Sequence, residues 1–376
     1  MASERRIHVG NVPIGGGAPV AVQSMTLTKT HDVDATMEQI ARLVSAGCEL
    51  VRVAVPKSED AEALAKLVYL SPIPIIADIH FNASLALRAI EAGVASVRIN
   101  PGNIGGPDKV ATVVRAAKAK SIPMRIGANS GSLPKHLLEL AQKDTAEALV
   151  EEALEQVRLL ESLDFYDFKI SVKSSSVPTM IRAYRMLAAR VPYPLHLGVT
   201  EAGTPAAGAI KSAVGIGSLL MDGIGDTIRV SLTADPVEEV KVAWEILKSL
   251  GLRERGPVMI ACPSCGRDNV GVWNLADAVE ERLRSYPQAF EVAVMGCAVN
   301  GPGEAGDADF GIAGGRETGF IYAHGRVLRK VSSEALVDEL FQEIDRWIES
   351  GMERPRRLKL AKPAALLMAE AAQRPS

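Results

Sequence analysis

Between about residues 20 and 250 the chain repeats one plan eight times: a short apolar or β-branched run, a polar or glycine-containing turn, then a helical stretch of period 3.6. The runs are VAVQSMT (20–26), LVRVAVP (50–56), PIIADIHF (74–81), SVRINPGN (96–103), PMRIGANSGS (123–132), YDFKISVKS (166–174), PLHLGVTEAG (194–203) and TIRVSLT (227–233). Between them lie amphipathic stretches such as MEQIARLVSAG and TAEALVEEALEQVRLLESL, several closed by a glycine suited to a left-handed C-cap. Strand then helix, eight times over, is the α/β pattern of a (β/α)8 TIM barrel. Asp235 and Pro236 fit N-cap and N1 of the helix that closes it. RRIHVGNVPIGGGAP, before the first run, reads as a hairpin able to plug the barrel's lower end.

The polar LRERGP (252–257) reads as a linker, so the barrel spans 1–252 and a second domain 257–350. That second domain is a small α+β unit: a strand VMIA, a helix near 274–286, a strand FEVAVMG, a hairpin GFIYAHGRVLRKV and a helix near 333–349. The tail, 351–376, mixes proline, charge and alanine without a period and is expected to be partly disordered. Net charge is −3 and the pI about 6.1, which gives no bulk reason to bind nucleic acid or an anionic membrane. The chain carries no apolar run of the ~18 residues a membrane span needs and no leader-like N-terminus, so a cytoplasmic protein is expected. Four cysteines in 376 residues are too few for a disulfide framework, and a CxxC then reads as metal-binding or redox-active.

At the C-terminal strand ends of such a barrel, side chains face the active site. Here those ends carry Ser24 and Thr26, Arg52, Asp78 and His80, Arg98 and Asn100, Arg125 and Asn129, Lys169 and Lys173, His196 with Thr200 and Glu201, and Arg229 with Ser231. Arg52, Arg98, Arg125 and Arg229 sit inside apolar runs, where an unpaired guanidinium costs several kcal/mol. One such arginine is ordinarily paired with a barrel carboxylate. Four at similar positions point to a phosphorylated ligand, because the guanidinium fork matches phosphate oxygens. Asp78, His80 and Glu201 are candidates for acid–base work, whereas His196 reads equally well as a structural histidine. The glycine-rich GNIGGPDK (102–109) matches no phosphate-loop pattern.

Cys262 and Cys265 of ACPSCGRD and Cys297 of GCAVNGPGEAGD supply three thiols where a metal site usually wants four ligands. Cys48 lies just before the second strand, at the lower face of the barrel, and reads as a buried free thiol. His324 would complete a Cys3His zinc site from a hairpin far downstream, and Glu304 lies seven residues beyond Cys297 across a glycine–proline turn. The small residues around Cys297 suit the bulk of an iron–sulfur cluster, with zinc as the alternative.

VQSMT, ADIHF, VRINPGN, RIGANSGS, HLGVTEAG, IRVSLT, CPSCGR and GCAVNGPGEA together resemble the two-domain bacterial 4-hydroxy-3-methylbut-2-enyl diphosphate synthases, over nearly the whole chain up to about residue 350. The resemblance implies a 4Fe-4S cluster on Cys262, Cys265, Cys297 and Glu304 in the second domain. It implies reductive ring opening of 2-C-methyl-D-erythritol 2,4-cyclodiphosphate, with electrons from a flavodoxin or ferredoxin. It further implies a homodimer in which the cluster domain of one subunit covers the barrel mouth of the other. By position, the diphosphate would be held by Arg52, Arg98, Arg125, Lys173, Arg229 and Ser231, with His80 and Asn129 alongside and Lys169 as the rival of Lys173. Glu201 corresponds to the family's proton donor, and Glu304 to the ligand that yields to substrate oxygen. The reading set against this one is a barrel enzyme for another phosphorylated substrate, with a structural zinc domain.

Overall fold

The N-terminal hairpin forms as expected, from β1 (Arg6–Val9) and β2 (Val12–Gly15). In the computed structural model, which describes residues 3–266, 268, 270–297 and 308–351, each apolar run then yields a parallel barrel strand. These are β3 (Ala21–Met25), β4 (Leu50–Ala54), β5 (Ile75–Asp78), β6 (Ser96–Arg98), β7 (Met124–Asn129), β8 (Phe168–Lys173), β9 (His196–Leu197) and β10 (Thr227–Ile228). From β3 to β8 each strand pairs with the next; β3 also pairs with β10, which pairs with β9. A bridge between Ile170 and Leu195 joins β8 to β9, so the barrel closes.

Helices cover the barrel where the 3.6-residue period predicts them. Val33–Ala46 starts on Asp32, whose carboxylate accepts from the Ala35 N–H, and stops at Gly47, which takes a φ of 101° that a side chain would disfavour. Pro236–Ser249 is capped by Asp235 as anticipated. Ile40, Leu43, Leu64, Leu149 and Leu187 on the inner helix faces are fully buried against the strands, each contributing roughly 1.5–3 kcal/mol through apolar burial. The hairpin packs Ile7, Val9 and Ile14 against Ala21, Leu50 and Ile76, at the N-terminal ends of the strands, and so seals the lower end.

Every strand is shorter than its run, and β9 and β10 are the shortest at two residues each. β9 keeps two residues of 194–203, because beyond Leu197 the chain bonds to neighbouring loops: Thr200 N donates to Ser174 O, and Gly203 O accepts from Thr233 N. Short 3-10 turns (Ser130–Ser132, Lys135–Leu137) and the helix Leu138–Lys143, none of them evident in the periodicity, follow β7.

The chain divides into two units between Arg253 and Glu254. The start of the expected linker thus belongs to the barrel: Arg253 donates to Val20 O at 2.7 Å, pairs with Glu49 at 2.9 Å and lies 4.9 Å from the Trp244 ring centroid. The second unit is a five-stranded sheet in the order β11 (Val258–Ala261), β12 (Glu291–Met295), β13 (Phe310–Ala313), β14 (Thr318–Ala323), β15 (Arg326–Ser332). β11 to β13 are parallel; β14 and β15 form the antiparallel hairpin, turning on His324 and Gly325 with φ of 50° and 78°, as a two-residue turn of the primed type requires. β13 is a strand the sequence reading missed. Helices Val272–Leu283 and Leu336–Glu349 pack on this sheet around Phe290, Phe310, Phe341 and Trp347. Glu304 and residues 352–376 of the tail lie outside the described residues. Among the described residues no helix is long and apolar enough to cross a membrane.

Candidate functional site

Strand register gathers the predicted cations at the upper, C-terminal end of the barrel. Met25 aligns with Arg52, and Asp78 aligns with Arg98, which aligns with Arg125. Asp78 is the hub: its Oδ2 lies 3.3 Å from Arg52 Nε, and its Oδ1 accepts from Arg98 Nη1 at 3.0 Å. The same Arg98 nitrogen is 2.8 Å from His80 Nε2. Arg52 and Arg229 both turn N–H groups toward the Met25 sulfur, at 3.0 and 3.7 Å. Glu239, from the first turn of the closing helix, lies 3.5 Å from Arg229 Nε and accepts from Ser24 Oγ and Leu232 N.

These two carboxylates do not exhaust the cations. Arg125 is 3% exposed and donates from Nε to Ser171 Oγ at 3.3 Å, but its Nη1 is buried without a hydrogen-bond partner. Arg229 Nε also lacks a hydrogen bond. Burial, opposed by Asp78 and reinforced by Arg229 and Arg98, brings the Arg52 guanidinium down to about 10. Burial together with the neighbouring Arg52 and Arg98 pulls Arg125 well below the usual arginine range. Asp78 moves the other way: burial favours its neutral form, yet Arg52, the His80 hydrogen bond and Arg98 outweigh it and hold the carboxyl well below the ordinary range. A carboxylate so held anchors cations and does not donate protons near neutral pH, which removes Asp78 from the acid–base candidates.

The two lysines differ in their neighbours. Both face inward, four residues apart on β8, as the two-residue strand period requires. Lys169, aligned with Arg125, is fully buried and donates to Gln23 at 3.3 Å; burial, then Arg125 and Arg52, hold its ammonium well below the usual lysine range against the opposing pull of Asp226. Lys173 is at the upper end of β8, aligned with Asn129, and burial followed by Arg125, Arg52, Arg229 and Arg98 holds its ammonium well below the usual lysine range. Gly198 makes room for it: a Cβ there would stand 3.1 Å from Lys173 Nζ and 2.8 Å from Arg229 O. Both lysines feel Arg125 and Arg52, and Lys173 feels Arg229 and Arg98 as well.

Around this floor stand the remaining candidates. Asn129 ends β7, where its side chain accepts from Gly131 N, and Ser231 is half-buried two residues past Arg229. His80 is about half exposed. Glu201 is exposed with φ +53°, an uncommon conformation for a non-glycine residue, on the rim segment between Thr200, bonded to Ser174, and Gly203, bonded to Thr233. His196 lies lower and is fully buried; burial and Arg125 keep its imidazole neutral, and Nδ1 bonds Thr227 Oγ1 at 2.8 Å. It is a structural group of the barrel interior.

In the second unit, β11 and β12 run parallel and deliver the cysteines to one end of the sheet. Cys262 follows β11 directly, its N–H donating to Val294 O at 2.9 Å, and Cys297 lies two residues past β12. Cys297 is buried, Cys262 half-buried and Cys265 exposed, and none of the three is in a disulfide. Asp268, to which the sequence reading gave no role, ties this loop down: its carboxylate accepts from Ser264 Oγ and from the N–H groups of Val270, Gly271 and Val272 at 3.0–3.1 Å. A Cβ at Gly296 would meet Asp268 Oδ1 at 3.1 Å and Val272 Cβ at 3.2 Å, so a side chain there would press on the loop that Asp268 holds. Three soft sulfur donors at one sheet edge fit an iron–sulfur cluster. His324 does not join them. Its ring lies 5.5 Å from Phe310 at the end of the sheet where β13 begins, opposite the cysteines, so a zinc site of the three cysteines and His324 does not form. Cys48, in the barrel unit, is buried with its Sγ donating to Leu50 O, and burial pushes its thiol up to about 12.

The chain matches the GcpE TIM-barrel domain over residues 4–244 and the GcpE protein C-terminal domain over residues 258–346. It is 56% identical over 346 residues, 92% of this chain and 97% of the relative, to a protein of Maridesulfovibrio salexigens named 4-hydroxy-3-methylbut-2-en-1-yl diphosphate synthase (flavodoxin). Proteins of the same name from Clostridium perfringens and Geobacter sulfurreducens are 56% and 54% identical, over 91% and 92% of this chain and 98% of each relative.

Proposed function

The chain belongs to the GcpE family, and from that premise we propose that it opens 2-C-methyl-D-erythritol 2,4-cyclodiphosphate reductively to 4-hydroxy-3-methylbut-2-enyl diphosphate, with loss of water. The observation that carries the reading is the surplus of cations at the upper barrel end: Arg52, Arg125 and Lys173, buried, and Arg98 and Arg229, half-buried, converge there, with Asp78 and Glu239 as their paired carboxylates. A diphosphate offers the missing negative charge, and Arg125 Nη1 has a free N–H for it.

Arg52, Arg98, Arg125, Lys173 and Arg229 hold the diphosphate oxygens in this reading, with Asn129, Ser231 and His80 completing the polar wall. Fixing both phosphate groups sets the ring's orientation for a two-electron reduction that breaks two C–O bonds, the ring's carbon–phosphate oxygen bond and that of the neighbouring hydroxyl, and leaves a C=C bond between the two carbons. Glu201, on the rim, gives its proton to the departing oxygen, which leaves as water. Its left-handed backbone supports that role, since strain of this kind gathers at functional positions.

Cys262, Cys265 and Cys297, with Glu304 as the ligand the family resemblance implies, would hold a 4Fe-4S cluster. When bound, such a cluster supplies electrons one at a time and a Lewis-acidic iron. A flavodoxin is the electron donor named for the relatives, and a ferredoxin is the other candidate. We infer a homodimer whose cluster unit covers the partner's barrel mouth; the apolar side chains of Leu27 (68% exposed) and Phe81 (74%), just past β3 and β5, support a covered rim. A cytoplasmic enzyme fits the absence of a membrane-crossing helix among the described residues.

The test is anaerobic reconstitution of the full chain. Equal amounts of iron and sulfide, visible charge-transfer absorption and turnover of the cyclodiphosphate with reduced flavodoxin are expected. An active protein that carries zinc and no iron would sink the reading.

A further inference from the structure

β7 carries two groups of the site, Arg125 near its start and Asn129 at its end, and between them it departs from ordinary strand geometry. Its pairing with β6 stops at Arg98 and Arg125. Two residues later Gly127 has φ +146°, and a Cβ built there would stand 1.9 Å from Ser171 O, so no other residue fits. The Gly127 N–H donates to a side chain, Gln156 Oε1, at 2.9 Å. Gln156 sits on the helix Thr145–Ser162, is 6% exposed, and its amide nitrogen donates to Glu152 Oε1 at 3.3 Å, one turn earlier. Glu152 is itself 3% exposed, and its Oε2 has no partner.

A buried glutamine that replaces a missing ladder partner is a strut from helix to strand. We propose that Gln156, oriented by Glu152, is a positioning residue for the diphosphate site: it fixes β7 at Gly127, midway between Arg125 and Asn129, and with it the placement of both. The inference rests on the reading of those two side chains as diphosphate ligands. The chemistry of the strut is consistent throughout. Gln156 has one acceptor and one amide group, and each goes to a buried partner that would otherwise be unsatisfied. Burial, with Glu155 adding to it, pushes the Glu152 carboxyl up to about 8, so the acid presents a neutral acceptor and leaves no uncompensated charge inside the wall.

Gln156→Met keeps the length of the side chain and removes the acceptor. On anaerobically reconstituted protein, the expected result is a rise of about tenfold in KM and in the calorimetric Kd for the cyclodiphosphate, since small displacements of binding groups cost one to two decades. kcat within about twofold and unchanged iron and sulfide content would accompany it. Gln156→Glu restores an acceptor for Gly127 and should bring Kd back to within about threefold of the parent. Gln156→Met that lowers the melting temperature but binds the cyclodiphosphate like the parent overturns the proposal. Should Gln156→Met not fold, Glu152→Leu, which frees the glutamine amide, carries the test: about threefold weaker binding supports the strut and parental binding refutes it. A parent protein that binds inorganic diphosphate but not the cyclodiphosphate would defeat the functional reading alone, and the same variants would then be compared by their Kd for inorganic diphosphate.

Discussion

At the lower end of the barrel strands the charges of Asp226, Glu49 and Arg253 are satisfied within the protein, and the buried groups without a hydrogen-bond partner, Gln23 Nε2 and His196 Nε2, are neutral. Ser3 donates to Asp226, Asp226 accepts from the Leu195 N–H, and Arg253 spans Glu49 and the Val20 carbonyl. At the upper end of the same strands Arg125 Nη1, Arg229 Nε and Thr26 Oγ1 are buried without hydrogen-bond partners, Arg229 Nε keeping only its 3.5 Å ion pair with Glu239, and the cations outnumber the carboxylates paired with them. Both ends share one scaffold and one kind of residue, so the difference reflects what each is for. The lower end satisfies its charges internally and gains stability, whereas the upper end keeps charge in reserve for a ligand and gives up stability to do so.

Breaking the hub of the upper end should have the largest effect. Asp78→Asn leaves Arg52 and Arg98 buried without their counter-charge and should lower unfolding free energy by about 3–5 kcal/mol, read by denaturant titration. An unchanged midpoint would mean that the pair contributes nothing. Because the Asp78 carboxyl is held below its ordinary value, its contribution is complete above about pH 4 and is lost as pH falls further, so the variant should also show a flatter acid limb. Gly198→Ala should come next. Its methyl group would press on Lys173 Nζ and Arg229 O, costing about 1–3 kcal/mol of stability and weakening substrate binding, while an equivalent alanine at the exposed, open Gly93 (φ +82°) should affect stability alone. Arg253→Met, at the lower end, should cost only about 1 kcal/mol, since the ion pair is partly exposed, and should leave the Kd for the cyclodiphosphate as it was. A changed Kd would erase the contrast between the ends.

The smallest effect is a proton count. Burial, then Arg125, Arg52, Arg229 and Arg98 hold Lys173 below the usual lysine range. A diphosphate beside it favours the ammonium form, so binding should take up protons at pH values between the depressed pKa and the ordinary one near 10.4. Calorimetric enthalpy should therefore vary with the buffer's ionisation enthalpy, less so in Lys173→Met. Identical slopes in the two proteins would exclude Lys173 as the group that titrates.

Much of this was legible in the sequence for physical reasons. Valine, isoleucine and leucine runs ending in polar residues, followed by helical period and caps such as Asp32, Asp144 and Asp235, define strand and helix locally. An arginine within an apolar run announces itself, because burying it demands a partner. What stayed hidden depends on the third dimension. Glu239 already has a local reason to sit in a helix's first turn, where a carboxylate meets the dipole, so its reach to Arg229 and Ser24 gave no separate signal. Gln156 and Glu152 lie in a helix crowded with glutamates, and only packing reveals which of them face inward. Lys169 and Lys173 share one strand face, so period alone could not rank them, and only packing shows that Lys173 has Arg229 and Arg98 as further neighbours. β13 is four residues long and follows an acidic, glycine-rich stretch, which masks its pattern.

The contrast between the two ends is tested most directly by Arg125→Met, measured for cyclodiphosphate affinity and for unfolding free energy in the same preparation. Affinity should fall about a hundredfold, the worth of a strong charge-assisted contact, while stability stays level or rises, because a buried guanidinium lacking a partner on Nη1 has been removed. Undiminished affinity, or a loss of affinity that merely follows a loss of stability, would contradict the account.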